Sequence, residues 1–179
     1  MNFDSRITPA RPDLAAAYLK GKVDAARFVE GVAMDIVVGR ASLRAAPSDD
    51  ALQDSELLFG ERVSVYDRAN GWAWVQAGDD NYVGYVRQET LGQAGRPSLR
   101  VVALMAPVFA KPDLKTPVRD LLPLNARVAA LAQDGDYVEI MPGRFVHRRH
   151  VAPLDQLESD FVAVAERFVG VPYVWGGKT

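Results

Sequence analysis

The side chains able to do covalent or metal chemistry are few and poorly placed for it. The sequence has no cysteine and two histidines, His147 and His150, which stand three residues apart in a His-Arg-Arg-His run. Without a thiol, these residues contain no disulfide, no thiolate ligand and no sulfur nucleophile. A metal site needs more ligands than two imidazoles, and the intervening arginines put positive charge beside them. His147 and His150 are therefore read as structural or surface residues. The serines, from Ser5 to Ser159, occur outside any Gly-x-Ser-x-Gly elbow. No phosphate loop, dinucleotide fingerprint or EF-hand pattern is present. The sequence predicts no catalytic residue, no metal and no cofactor.

Composition sets the next bounds. Apolar residues make up 49% of the chain and charged residues 25%, as in ordinary globular domains. The net charge is −2 with both signs scattered, so there is no basic field for nucleic acid or an anionic membrane. The longest apolar stretch, 101–110, contains Pro107 and is about half the ~20 residues of a membrane helix. Asp4, Arg6, Arg11 and Asp13 interrupt the N-terminus, and no apolar signal core follows. The expectation is a soluble, cytoplasmic protein with no nucleic-acid or membrane partner.

The elements that would position any site are mainly β. Residues 1–33 are expected to hold short helices, one starting after Pro12-Asp13 and ending at Gly21, another over Asp24 to Glu30. From Met34 onward, short runs rich in Val and aromatics alternate with turn residues, as in Val63-Ser64-Val65-Tyr66 and Trp72-Ala73-Trp74-Val75. Ala69-Asn70-Gly71 marks a hairpin turn.

The pattern then repeats. Pro47 precedes Val63 by the same interval as Pro112 precedes Val128, Leu57-Leu58 matches Leu121-Leu122, and Gly84-Tyr85-Val86 matches Arg144-Phe145-Val146. This predicts an internal duplication, each copy a small closed barrel, over 34–92 and 98–154. Domains of about 60 residues are marginal alone, so the copies should lean on each other. Residues 154–170 are expected to turn helical, capped by Ser159 or Asp160, with Phe161, Val164, Ala165 and Phe168 on one face. Trp72 and Trp74 share strand parity and are both expected to be buried.

Two groups of residues carry a resemblance. A helix followed by Gly170-Val171-Pro172-Tyr173-Val174-Trp175-Gly176-Gly177 resembles the opening of the NlpC-type peptidase domain of bacterial cell-wall hydrolases. In that family, Asp-Cys-Ser-Gly with the nucleophile follows, then a histidine. Leu43-Arg44-Ala45-Ala46-Pro47, Glu56 to Glu61, Gly71-Trp72 and Asp80 to Val86 are similar to the bacterial SH3 domain preceding the peptidase in γ-D-glutamyl-L-diamino acid endopeptidases (dipeptidyl-peptidase VI). That family usually reads Gly-Tyr-x-Gly-Trp where this chain has Asn81-Tyr82-Val83-Gly84-Tyr85.

The resemblance implies two SH3-like small β-barrels in tandem, with short N-terminal helices. It further implies that residues 155–179 are the first helix and Trp-Gly-Gly segment of a truncated α+β, papain-like peptidase domain. It implies a muropeptide partner, L-Ala-γ-D-Glu-diamino acid, whose free alanine amine meets an aromatic hydroxyl and a carboxylate of the first SH3 domain. Carried onto this sequence, the aromatic is Tyr82 and the carboxylate is Glu56 or, second, Glu61. Tyr173 and Trp175 would flank the active site of the complete enzyme. The chain itself would be non-catalytic. Two alternatives stay open on the residues alone: a stand-alone SH3-type module for a wall peptide or protein partner, and aromatic-groove recognition of proline-rich ligands through Trp72, Trp74, Tyr82 and Tyr85.

Overall fold

The computed structural model describes residues 3–179; Met1 and Asn2 of the expected N-terminal helical segment lie outside the described residues. The rest of that segment is turns and short extended pieces without an α-helix, which corrects the helical expectation. β1 (Ala15–Ala16) pairs in parallel with β2 (Phe28–Val29), and a single 3-10 turn spans Ala17–Leu19. Short helices gain little on their own. Here the backbone finds other partners: Ala15 N–H donates to the Arg27 carbonyl at 3.0 Å and Ala16 N–H to that of Pro9 at 3.0 Å. The extended form also buries Leu14, which packs with Trp74 and Val83.

The first β unit is one antiparallel sheet of seven strands. These are β3 (Val32–Ile36), β4 (Arg40–Arg44), β5 (Gln53–Leu58), β6 (Arg62–Ala69), β7 (Trp72–Ala77), β8 (Val83–Arg87) and β9 (Leu91–Gln93), in the order β5-β4-β8-β7-β6-β3-β9. Asn70 and Gly71 both take positive φ, 50° and 79°, as the tight β6–β7 hairpin requires. Asn81 takes φ 63° where the resembling domains carry glycine; a short amide side chain tolerates that region. Alternation along β7 sends Ala73, Val75 and Ala77 into a core shared with Ile36, Leu43, Leu57, Val63 and Val86. Trp72 and Trp74 take the opposite face. Both are buried there as expected, beneath Arg87 and Arg11, whose guanidinium carbons lie 4.3 and 4.4 Å from the ring centres.

The second unit repeats the strand order of the first, with one strand divided in two. β10 (Leu99–Val101), β11 (Met105–Phe109), β12 (Val118–Pro123), β13 (Arg127–Val128), β14 (Ala132–Asp134), β15 (Tyr137–Met141), β16 (Arg144–His147) and β17 (Val151–Pro153) order as β12-β11-β16-β15-β14 and β13-β10-β17. The long strand β6 is matched by β13 and β14, and the 3-10 turn at Gln88–Thr90 by the one at Arg148–His150. The duplication read from the sequence is thus present in the strand order. Neither copy closes into a hydrogen-bonded ring, contrary to the expected barrels. In the first, β5 and β9 remain the two ends; in the second, the interruption between β13 and β14 divides the order. The sheets curl enough for inward residues of every long strand to share one core. β5 meets residues 175–179 rather than β9.

The copies are locked together. Phe59 leaves the first sheet to join the core of the second, beside Val101, Val108, Leu122 and Ile140. Arg127 N–H donates to the Phe59 carbonyl at 2.8 Å, and Gly39 N–H to the Asp120 carboxylate at 2.9 Å. After β17 the chain is held by buried Arg100, which donates to the Gln156 carbonyl. α1 (Phe161–Glu166) is shorter than the helical span expected over 154–170. Its cap is Asp160, which accepts from Val162 and Ala163 N–H at 2.9 and 3.0 Å. Beyond it single-turn bonds lead to Gly170, in the left-handed region. Val164 and Phe168 are half-buried, whereas Phe161 is exposed. Among the described residues no helix is long and apolar enough to cross a membrane.

Candidate functional site

Strand β5 sets the first side chain of the site. Its alternation gives Leu57 to the core and turns Glu56 to the opposite face. There Glu56 is only 6% exposed, because residues 175–179 lie across it. Gln53 Nε2 donates to the Trp175 carbonyl at 3.1 Å. Gly176, at φ 68°, passes so close that a Cβ would sit 3.0 Å from the Asp54 backbone, so the close approach needs glycine. Glu56 Oε2 then accepts from Lys178 N–H at 3.0 Å and from the Thr179 hydroxyl at 3.1 Å. The Arg40 guanidinium stands 3.8 Å from Oε1.

The turn from β5 to β6 sets the second. Gly60 adopts φ 77° against the Arg127 backbone, and Glu61 N–H closes back on the Leu58 carbonyl at 3.0 Å. The Glu61 side chain is thereby turned inward, 7% exposed. Its Oε2 is enclosed and accepts no hydrogen bond among the described residues. The nearest cation is Lys178 Nζ at 3.5 Å, which also contacts Asp80 Oδ2 at 3.2 Å. Burial pushes the Glu61 carboxyl above its ordinary range; Lys178 pulls it down and Asp79 adds to the rise. Asp79 itself is held by Arg127 through two bonds at 3.1 and 2.8 Å. Glu61 opens on a cleft of about 650 Å³ between the two units, also lined by Arg100, Asn125, Val164, Phe168 and Lys178.

The structure therefore brings Glu56 and Glu61 to a single lysine, the first by its backbone and the second by its ammonium. Asp80 is a third carboxylate of the site that the sequence reading missed. Its signal was the Asp79-Asp80 pair in the turn before the Tyr82 block. Tyr82 follows by two residues, and its N–H donates to Asp80 Oδ1 at 3.1 Å. Its ring packs half-buried against the first core, and no hydrogen bond joins its hydroxyl to the carboxylates among the described residues. Tyr173 and Trp175 lie on the surface, 83% and 68% exposed.

The histidines take structural places. The His147 ring meets Tyr137 edge-on at 5.2 Å, and its Nδ1 accepts from Arg149 N–H at 3.2 Å. Burial lowers the pKa of His150. What the site can do is hold a cation with hydrogen-bond donors, since the carboxylates of Glu61 and Asp80 face the same ammonium.

Comparison with known proteins bears on these residues. A family model described as the bacterial dipeptidyl-peptidase SH3 domain matches residues 43–91. No curated protein matches the chain. Among solved structures, an NlpC/P60 family protein from Bacillus cereus ATCC 10987 superposes with a TM-score of 0.66 at 17% identity, over 82% of this chain and 66% of that one. NlpC2 from Trichomonas vaginalis aligns at 14% identity and a TM-score of 0.32, over 83% of this chain and 60% of that one. The chain thus spans somewhat less than two thirds of the length of these structures. Residues 43–91, which include Glu56, Glu61, Asp80 and Tyr82, are similar to a bacterial SH3 domain of the dipeptidyl-peptidase type, in a chain whose fold is like that of an NlpC/P60 family protein.

Proposed function

We propose that this chain is the non-catalytic front part of a cytoplasmic cysteine endopeptidase acting on cell-wall peptides. The complete enzyme would cleave the γ-D-Glu–diamino acid bond of muropeptides whose L-Ala amine is free, and the first SH3-like domain would shape that specificity. In this reading residues 34–92 and 98–154 are the tandem SH3-like domains, and residues 155–179 lead into a papain-like peptidase domain. In this reading the catalytic thiol would come from that domain, since residues 1–179 hold no cysteine.

The observation that carries the reading is the pair of buried carboxylates, Glu56 and Glu61, which meet Lys178 and Thr179 directly after the Trp-Gly-Gly segment. A recess that already seats the Lys178 ammonium between Glu61 and Asp80 is chemically suited to the ammonium of a peptide N-terminus. An acylated or longer peptide would lose the charge-assisted bond and leave the carboxylate buried and unpaired. The exposed Phe161, Val169, Tyr173 and Trp175 further support a second layer packed on this face. They weigh against the stand-alone module. Trp72 and Trp74, buried under arginines, weigh against a proline-rich ligand.

The test is calorimetric titration of the chain with L-Ala-γ-D-Glu-diamino acid and its N-acetyl form. The expected result is weak binding, with Kd of about 1 mM, for the free amine only, and no release of L-Ala-γ-D-Glu. Equal binding of the acetylated peptide, or release of the dipeptide, contradicts the reading. Micromolar binding by these residues alone favours the stand-alone module.

A further inference from the structure

The recess already holds a cation of the kind it would bind. Four carboxylates converge here, Glu56, Glu61, Asp79 and Asp80, and their cations are divided unequally. Arg40 stands by Glu56 at 3.8 Å, and Arg127 holds Asp79 through two hydrogen bonds. Glu61 and Asp80 are left with Lys178 as their shared cation.

Lys178 fits them incompletely. Its ammonium carries three donors and reaches Asp80 at 3.2 Å, but it stands 3.5 Å from Glu61 Oε2, which accepts no hydrogen bond and is enclosed. Tethering explains the shortfall. The Lys178 backbone is fixed by Glu56, and its stem must reach back from there. An untethered ammonium can approach both carboxylates at the 2.7–2.9 Å of a good charge-assisted bond. Apart from the lysine side chain, the tail is anchored by the Lys178 N–H and the Thr179 hydroxyl on Glu56 and by Gln53 on the Trp175 carbonyl. That side chain can swing out while the recess keeps its shape.

We propose that Glu61 and Asp80 form a primary-ammonium site whose resident occupant is the Lys178 side chain, so that an amine ligand binds by displacing it. The inference rests on the amine-site reading given under Proposed function and adds to it an internal competitor. A tethered group acts at an effective concentration of about millimolar, enough to compete with a weak amine ligand and to leave the recess closed when none is present.

The test uses the full chain and its Lys178→Met variant, titrated with L-alaninamide and with N-acetyl-L-alaninamide. Lys178→Met should bind L-alaninamide about tenfold more tightly than the unmodified chain. Neither chain should bind the acetylated form, and adding Glu61→Gln to Lys178→Met should abolish binding. In the unmodified chain the Lys178 side-chain carbon resonance should move as L-alaninamide saturates. Equal affinities in the two chains, no binding by either, or an unmoved Lys178 resonance during saturation overturns the proposal.

The stem peptide L-Ala-γ-D-Glu-diamino acid separates the two failures. If it binds both chains equally, the competitor role of Lys178 falls and the wall-peptide reading stands. If L-alaninamide gains tenfold while the stem peptide binds no better than it, the competitor stands and the wall-peptide reading falls.

Discussion

At the scale of single residues, Glu61 carries a cost as well as a role. A buried carboxylate whose counter-ion stands 3.5 Å away is only partly compensated. Because its pKa is raised above the ordinary 4.5, the native state holds the proton more tightly than the unfolded chain does. The sign follows directly. The contribution of Glu61 to stability is greatest below pH 4.5 and declines as pH rises through its raised folded value. Asp67 has the opposite sense. Arg11 bonds it at 2.6 Å and lowers its pKa, so its contribution is lost as pH falls from the ordinary 3.8 through its lowered value. The two windows do not overlap, but His150, lowered from 6.5 by burial, changes its contribution as pH falls below 6.5, so Glu61 is isolated by the difference between the unmodified chain and its Glu61→Gln variant. Glu61→Gln should raise Tm at neutral pH by about 3 °C, or about 1 kcal/mol. It should also flatten the decline above pH 4.5 expected of the unmodified chain. Thermal melts of both chains across that range check it; parallel curves would show that Glu61 does not titrate differently on folding.

Among the elements, turns and glycines carry the assembly, and there sequence and structure can be compared most closely. The hairpin at Asn70-Gly71, the alternation of β7 and the repeated strand order were legible, because each rests on local backbone preference or period-two burial. The N-terminal segment was not. Leu14-Ala15-Ala16 has good helical propensity, but packing of Leu14 against Trp74 and Val83 outweighs a preference worth tenths of a kcal/mol per residue. Of the site, Glu56 and Glu61 were legible through the SH3-like pattern, whereas Asp80 and Lys178 join it only through the return of the chain across β5. Gly39 is another position no sequence pattern marks. A Cβ there would sit 2.1 Å from the Leu121 carbonyl and 2.8 Å from Asp120, the residue that accepts its N–H. Gly39→Ala should cost about 2–3 kcal/mol by forcing β12 off the β3–β4 turn. At Gly95, where the nearest atom is 3.7 Å away and φ is not positive, the same change should stay within about 0.5 kcal/mol. Denaturant melts of the two variants make the comparison, and similar losses would mean that the β12 contact does not matter to stability.

For the molecule as a whole, the question is whether two copies of one topology behave as two domains or one. Each copy is near the size at which a core of its own is marginal, and the structure removes part of that independence. Phe59 belongs by chain to the first sheet and by packing to the core of the second, with Val101, Val108, Leu122 and Ile140. The second unit is therefore complete only when the first supplies this ring. The coupling also bears on the site, because Glu61 follows Phe59 by two residues and Arg127, which bonds the Phe59 carbonyl, holds Asp79. The unmodified chain should unfold in a single calorimetric transition, with van't Hoff and calorimetric enthalpies agreeing. Phe59→Ala should cost about 3–4 kcal/mol and divide that transition in two, the second unit melting first. Val75→Ala, which thins the core of the first unit alone, should lower the single transition without dividing it, because the ring that joins the units remains. If Phe59→Ala leaves one transition, or if Val75→Ala divides it, the units are coupled by something other than the shared core, and the recess between them would have to be held by the Arg127 and Asp120 contacts alone.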